Sequence, residues 1–149
     1  MPAHYERIQQ QVQLAGLQGK VKLLQGQSHL ALEACDTTLI ASGTATLEAA
    51  LYKRPMTIAY AMHPVSYHLM ARKKLQNWVG LPNILCQDFV VPELLQNDAT
   101  PDKLAHSVMQ WLEDAAQVQR VQQRFTELHH LLQRDTSRLA TEAIANVIR

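Results

Sequence analysis

The stretch IASGTATLEAAL, which runs from Ile40 to Leu51, decides the fold class that this sequence predicts. It begins inside the segment TTLIA (residues 37–41), whose β-branched and apolar residues are typical of a strand buried on both faces. A Ser-Gly-Thr triplet interrupts the apolar run, and the alanine- and leucine-rich residues from Thr44 to Tyr52 predict a helix. The sequence therefore predicts a strand–turn–helix unit with one acid, Glu48, in an otherwise small and apolar helix.

The segments on either side of this unit predict a parallel sheet. Strands and helices alternate, and that order indicates parallel strands joined by crossover helices. The other predicted strands are Val21–Leu24, Met56–Tyr60 and, at most, a short one at Phe89–Val91 that Pro92 ends. The predicted helices are Tyr5–Leu17, His29–Cys35 with Ser28 as its N-cap, and one that follows Pro64, whereas Leu81–Asn83 is predicted to be a loop.

The last third of the chain predicts three amphipathic helices. Thr100 and Pro101 form the pattern of an N-cap followed by proline at the first helical position. Apolar residues then recur at helical spacing in three stripes. The stripes are Leu104, Val108, Trp111 and Leu112; Val118, Val121, Phe125, Leu128 and Leu132; and Leu139, Ala143, Ile144 and Val147.

The fold class is therefore α/β, an incomplete Rossmann-like parallel sheet followed by C-terminal helices. A complete doubly wound domain usually has five or six parallel strands, and this sequence predicts fewer. We expect one structural domain, in which residues 1–99 form a partial lobe and residues 100–149 pack on it. A small, unusual α/β domain is one interpretation, but a piece of a longer polypeptide is favoured because no strand precedes the first helix.

The composition excludes several classes of protein. Of 149 residues, 47% are hydrophobic and 18% are charged, which is typical of a globular chain. A net charge of +1 gives no reason to expect a nucleic-acid partner. Two cysteines are too few for a disulfide framework and favour a reducing compartment. Because no apolar run is long enough to cross a bilayer and no signal peptide is evident, we expect a soluble cytoplasmic protein.

The Ser-Gly-Thr triplet and Glu48 have the chemistry of a nucleotide site. In open α/β sheets, ligands bind at the carboxyl ends of the strands, where helix N-termini favour anions. Gly43 allows a sharp turn and a close approach, so the triplet predicts a phosphate site. Glu48 lies one helical turn beyond Thr44, and a carboxylate there accepts hydrogen bonds from the two hydroxyls of a ribose. The alternative is structural, since many helices begin with glycine and threonine and an early acid stabilises the dipole by about 0.3–1 kcal/mol.

Residues from Gly26 to about Gln96 resemble the lipid-A-disaccharide synthases, a bacterial glycosyltransferase family with the two-lobed GT-B architecture. The similarity is carried by LIASGTATLEAALYKRPMTIAY, by His63-Pro64 ahead of ARKK, by LPNIL at 81–85 and by VPELLQ at 91–96. Several short blocks in the right order make the resemblance specific, and it continues more loosely through the C-terminal helices. It implies the C-terminal, donor-binding lobe of a GT-B enzyme.

The resemblance also implies a reaction and a set of binding residues. Members of this family join UDP-2,3-diacylglucosamine to 2,3-diacylglucosamine 1-phosphate and release UDP. By position, the triplet would hold the diphosphate and Glu48 the ribose, with three further residues lining the same cleft. The substrate-binding residues implied are Ser42, Gly43, Thr44, Glu48, Asn83, Glu93 and Gln96.

The sequence departs from the family in one large respect. It has no counterpart of the N-terminal lobe, which holds the lipid acceptor and the catalytic base, and the first strand of the donor lobe is also missing. We therefore expect no catalytic residue in this chain and no turnover by the isolated chain. Neither a metal nor another cofactor is expected, since no histidine, cysteine and acid cluster has ligand spacing.

Other features of the sequence have two interpretations each. Asn83 after a proline is typical of a turn, and Glu93 and Gln96 fit the exposed first turn of a short helix. The basic segment Tyr67–Trp78 is interpreted first as a solvated helix end, with contact to the inner-membrane surface as the alternative. His63 lies near the expected cleft, although a surface histidine is the commoner case. Exposed apolar helices would favour pairing with a second copy of the chain.

Two alternative functions remain open from the sequence. One is another UDP-sugar enzyme, either a GT-B transferase or an epimerase, since these also use a glutamate on this helix for ribose. The other is a non-catalytic interaction module whose C-terminal helices dock on a partner. Binding of UDP distinguishes an enzyme lobe from a module.

Overall fold

The computed structural model of the protein describes residues 2–62 and 77–148. The chain divides into two compact units, Met1–Cys35 and Asp36–Arg149. His63, the helix predicted after Pro64 and the basic residues of the 67–78 segment lie outside the described residues.

The first unit contains two helices. Helix α1 is Pro2–Leu14 and helix α2 is Ser28–Ala34. The strand predicted at Val21–Leu24 is wrong: these residues form no ladder, because no second strand is present in the described part of this unit for them to pair with. The prediction that Ser28 caps α2 is also wrong, since Ser28 is the first helical residue and Gln27 occupies the N-cap position.

The second unit is built on a parallel sheet of three strands. They are β1 (Thr38–Ala41), β2 (Met56–Tyr60) and β3 (Glu93–Leu95), in the order β1-β2-β3. Ile40 lies opposite Ile58, and Ile58 lies opposite Glu93. This sheet confirms the predicted fold class.

The position of β3 corrects the prediction of a strand at Phe89–Val91. The strand follows Pro92 instead, and the Pro92 carbonyl accepts a hydrogen bond from the Ile58 N–H at 2.9 Å. Proline has no N–H to donate but accepts normally, so it is compatible with the start of an edge strand. Pro92 therefore begins the pairing rather than ending it.

Both faces of β2 are covered, but β1 is covered less well. Met56, Thr57 and Ile58 are fully buried. On β1, Leu39 is 54% exposed, so the prediction that this strand is buried on both faces is wrong. The helix Pro101–Glu113 packs against β2 at Thr57. Strand β1 lies at the edge of the sheet.

Helix α5 (Pro101–Glu113) is held against β2 by polar contacts within the core. The Trp111 Nε1–H donates to the Met56 carbonyl at 3.1 Å, and the hydroxyls of Thr57 and Ser107 lie 2.8 Å apart. Its predicted start is confirmed, because the Thr100 side chain accepts from the Lys103 N–H. Buried polar groups that are paired in this way fix one register of a helix on a strand.

The remaining elements surround the sheet. They are α3 (Thr44–Leu51), α4 (Leu81–Cys86), a 3₁₀ turn at Gln96–Asp98, α6 (Ala115–Leu132) and α7 (Thr136–Ile148). Helix α6 buries Val121, Phe125 and Leu128 and packs on α3 and α4. Helix α7 buries none of its side chains. No helix within residues 2–62 and 77–148 is long and apolar enough to span a bilayer.

Candidate functional site

The carboxyl ends of the three parallel strands define the candidate site. Strand β1 ends at Ala41, β2 at Tyr60 and β3 at Leu95, so the residues that follow each strand lie at one edge of the sheet. The triplet 42–44 follows β1, and Gln96 follows β3. The structure therefore places four of the seven predicted binding residues at the edge where open α/β sheets bind ligands.

Gly43 is the N-cap of α3 and has an unusual backbone conformation. Its φ is 153° and its ψ is −169°, a region that residues with a Cβ rarely adopt. Among the described residues, a Cβ built on Gly43 would meet nothing within 4 Å, so those residues leave the space beside Gly43 open. Because glycine has no side chain, it does not cap the first-turn N–H groups of α3 as serine or aspartate would. An anion that enters this space meets the N–H groups of Thr44 and Ala45 directly, since that of Thr46 donates to the Gly43 carbonyl.

The first turn of α3 is fixed from within the helix. The Thr46 hydroxyl donates to the Gly43 carbonyl at 2.7 Å, and the Thr46 N–H donates to the same carbonyl at 3.1 Å. Thr46 is fully buried, whereas Thr44 is exposed. The Gly43 carbonyl is thus turned into the helix, and the Thr44 hydroxyl faces the outside.

Ser42 is tied to a distant part of the chain. Its hydroxyl donates to the Val79 carbonyl at 3.2 Å. A serine hydroxyl has one proton to donate and two lone pairs that accept, so this contact leaves the oxygen as an acceptor.

Glu48 lies on α3 one turn after Thr44 and is half-buried. Side chains on a helix lean toward its N-terminus, which brings the position-48 carboxylate toward the same end of α3 as Gly43. Its neighbours in the helix, Ala49 and Ala50, are fully buried. Glu48 therefore lies at the margin of the core.

Asn83 lies in α4 and is fully buried, so its interpretation as a turn residue is wrong, as is the loop predicted for Leu81–Asn83. Its Nδ2 donates to the Val91 carbonyl and to Glu93 Oε1, both at 2.8 Å. Its Oδ1 accepts from the N–H groups of Val90 and Val91, at 2.8 and 2.9 Å. All four hydrogen-bonding positions of the amide are therefore used within the protein.

Glu93 is a half-buried residue of β3, so the interpretation as the exposed turn of a helix is wrong for it. Its Oε2 accepts from the Val79 N–H at 2.9 Å. Its Oε1 accepts from the Gly80 N–H at 2.9 Å and from Asn83 at 2.8 Å. The carboxylate therefore holds the two residues that lead into α4.

Gln96 clamps the end of β2. Its Oε1 accepts from the Met62 N–H at 2.8 Å, and its Nε2 donates to the Met62 carbonyl at 3.2 Å. Gln96 begins the 3₁₀ turn with a φ of 50°, so it does start a short helical turn, but it is half-buried rather than exposed. The Gln96 side-chain amide thus forms, beyond the ends of β2 and β3, the two hydrogen bonds that a neighbouring main chain would form with Met62.

The predicted residues therefore fall into two groups. Gly43 and Thr44 are exposed at the start of α3, with the half-buried Glu48 one turn further along, whereas the side chains of Ser42, Asn83, Glu93 and Gln96 form hydrogen bonds to the main chain. Sequence reasoning missed Val79 and Gly80, the main-chain link between Ser42 and Glu93. Only a glycine fits at position 80, because a Cβ there would lie 2.3 Å from Ile58 Cδ1. The glycine itself was therefore the signal that the sequence offered.

Other features in the described chain do not compete for the site. Within residues 2–62 and 77–148, no group of three or more histidine, cysteine and acidic side chains is arranged to hold a metal ion. Burial raises the pKa of the Cys86 thiol above its ordinary value, although Arg124 lowers it in part, so its thiolate is scarce at neutral pH. A depression of about 350 Å³ in the first unit lies among Tyr5, Val12 and Leu23, and none of the predicted binding residues lines it.

Known proteins are similar to this chain in sequence over almost its whole length. A sequence model described as lipid-A-disaccharide synthetase matches residues 1–148. A lipid-A-disaccharide synthase from Verminephrobacter eiseniae is 56% identical over 147 residues, covering 96% of this chain and 38% of the relative. One from Albidiferax ferrireducens is 55% identical, covering 100% of this chain and 39% of the relative. One from Pseudomonas fluorescens is 45% identical, covering 95% and 37%. The chain spans less than two fifths of the length of these relatives.

Proposed function

Because this chain belongs to the lipid-A-disaccharide synthetase family, we propose that it is the donor-nucleotide-binding part of a glycosyltransferase. The reaction joins UDP-2,3-diacylglucosamine to 2,3-diacylglucosamine 1-phosphate, forms the lipid A disaccharide and releases UDP. The donor and the lipid acceptor are thus the partners of the complete protein.

One observation supports the proposal above the others: the open, uncapped N-terminus of α3 at Gly43, directly after β1. A diphosphate that occupies this space accepts hydrogen bonds from the first-turn N–H groups and from the Thr44 hydroxyl, and the helix dipole favours its charge. The Glu48 carboxylate, one turn along, accepts from the ribose hydroxyls. Both ends of a uridine diphosphate then find groups of matching chemistry on one helix.

The same groups have a role in the transfer step. When the acceptor hydroxyl displaces UDP from the sugar, negative charge develops on the departing diphosphate. N–H groups that already point at this position stabilise that charge without rearranging. The catalytic base is assigned to the lobe of the family that has no counterpart in this sequence, so we expect the 149-residue chain to bind UDP without turning over the lipid substrates.

We further propose that the complete protein works on the cytoplasmic side of the inner membrane. Both substrates carry acyl chains and are held in a membrane, while the sugar nucleotide is polar. The basic segment Tyr67–Trp78 is the candidate membrane contact by sequence, because lysine and arginine are attracted to anionic lipid surfaces. Pairing with a second copy belongs to the same proposal and rests on the exposed apolar residues of α7.

Calorimetric titration with UDP tests the proposed function. The 149-residue chain is expected to bind UDP, and Glu48→Ala is expected to weaken binding about 10- to 100-fold through the loss of hydrogen bonds to a charged group. Glu113→Ala is the matched control, because Glu113 is exposed at the end of α5.

Circular dichroism shows whether each variant is folded. A folded wild-type chain that does not bind UDP would contradict the proposal and favour a non-catalytic interaction module. Equal binding by wild type and Glu48→Ala would contradict the assignment of Glu48 to the ribose.

A further inference from the structure

We propose that Glu93 is a positioning residue of the nucleotide site, which acts on the loop before α3 through the main chain of Val79 and Gly80 and the hydroxyl of Ser42. The inference rests on the proposed function, since the site is that of UDP. It assigns to Glu93 a role in which the carboxylate does not touch the nucleotide.

Donors from the protein occupy three of the about four accepting positions of the Glu93 carboxylate. Val79 N–H and Gly80 N–H each lie 2.9 Å from it, and Asn83 Nδ2 lies 2.8 Å from it. A diphosphate is itself an acceptor with negative charge, so it has no hydrogen bond to gain from this carboxylate. The effect of Glu93 on the bound diphosphate is therefore indirect.

Two of these donors belong to the Val79–Gly80 segment, which has no room to move closer to the sheet. A Cβ on Gly80 would lie 2.3 Å from Ile58 Cδ1 and 3.1 Å from Glu93 Oε1. Gly80 is buried and packs directly on Ile58, which is itself fully buried. The position of the Val79 carbonyl is thus set by β2 beneath it and by Glu93 beside it.

A hydrogen bond connects this segment to the site. The Val79 carbonyl accepts it from the hydroxyl of Ser42, the residue that precedes Gly43. Glu93 and Ser42 therefore hold opposite sides of one peptide unit: Glu93 accepts from its N–H, that of Gly80, and Ser42 donates to its carbonyl, that of Val79. When Glu93 fixes Val79, it also fixes where the loop before α3 begins.

The contact has a consequence for Ser42 itself. Because the Ser42 hydroxyl donates its hydrogen bond to the Val79 carbonyl, its oxygen can bind a ligand only as an acceptor. Contacts to phosphate oxygens then fall to the N–H groups at the start of α3 and to Thr44, while Ser42 is suited to accept from a hydroxyl of the donor sugar or ribose. Its main role for UDP is to anchor Gly43.

A double-mutant cycle tests this inference on the 149-residue chain. UDP affinity is measured for the wild type, Glu93→Gln, Ser42→Ala and the double variant, with Glu113→Gln as the matched control. Glutamine keeps the shape of Glu93 but turns an NH₂ group toward one of the main-chain donors. Each single variant is expected to lose about threefold or more in affinity, and the double variant no more than the larger of the two.

The outcomes separate this inference from the proposed function. If the wild type does not bind UDP, both are overturned. If the wild type binds and Glu93→Gln binds equally well, or if the two losses multiply, only the positioning role is overturned, since a general loss of stability gives independent effects.

A second measurement does not depend on the variants folding. In the wild type, the amide resonances of Val79 and Gly80 are expected to shift when UDP is added, because the nucleotide acts on them through Ser42. Resonances that stay unchanged at saturating UDP would overturn the positioning role.

Discussion

Gly43 is the residue on which the candidate site depends most. Its φ of 153° lies where a side chain is strained, yet the space around its Cα is open. No packing contact with the described residues requires a glycine here, so the conformation itself is what requires it. Strain of this kind is found where the main chain must approach a ligand, and Gly43 lies at the one strand-to-helix turn that the sequence predicts as a phosphate site.

Gly43→Ala is expected to lower the free energy of unfolding by about 1–3 kcal/mol, because alanine is strained at this φ. It should also weaken UDP binding, since a methyl group enters the space that the diphosphate would occupy. Urea unfolding and UDP titration measure the two effects.

Gly19→Ala is the matched control, because Gly19 also has a positive φ, 77°, and open space around it. It should lose stability and keep its UDP affinity. If both variants keep full affinity, Gly43 is not part of the nucleotide site.

How far the sequence predicts single residues depends on whether their role is local. The triplet after β1 and Glu48 follow from local spacing, and the structure places them where that spacing implies. Asn83 and Glu93 could not be placed in the same way, because their partners are 7 to 14 residues away and across elements. Without the register of β3, an asparagine after a proline has no visible reason to be buried.

The sheet shows which elements the sequence determines. The sequence predicts β1 and β2 because turn residues bound their apolar runs. It also predicts the helices α3, α5 and α6. Val21–Leu24 has the same apolar composition but forms no strand, because pairing depends on a partner that the described part of its unit does not contain. Strand β3 begins directly after Pro92, whereas the sequence predicted that Pro92 ends a strand.

The contact between α4 and β2 gives a prediction at the scale of elements. Gly80→Ala is expected to destabilise the protein by about 1–3 kcal/mol, because its methyl group would overlap Ile58 Cδ1 in a packed core. Ile58→Val removes that atom and should cost about 0.5–1.5 kcal/mol alone. The double variant should be less destabilised than the sum of the two.

Thermal or urea unfolding of the three variants measures this coupling. Gly43→Ala combined with Ile58→Val is the control, since no atom lies within 4 Å of a Cβ at Gly43. If the Gly80 and Ile58 effects simply add, the close approach of α4 to β2 is not what requires glycine at position 80.

At the scale of the whole molecule, the order of the strands indicates where the nucleotide binds. The three strands lie side by side in chain order, as in one half of a doubly wound sheet. In such sheets the ligand crevice lies at the carboxyl ends near the strand where the order reverses, which is an edge of the half sheet. Strand β1 is an edge of the described sheet, and the open turn at Gly43 follows it. The fold and the chemistry of α3 thus favour the same place.

Comparison of UDP with 2′-deoxy-UDP tests the central claim most directly, because it removes one ribose hydroxyl and leaves the diphosphate unchanged. If Glu48 binds the ribose, the wild-type chain should prefer UDP by about tenfold or more, since a half-buried charged acceptor would otherwise lose a hydrogen bond. Glu48→Ala should bind the two nucleotides with equal affinity. A preference for UDP that is as large in Glu48→Ala as in the wild type would contradict the claim.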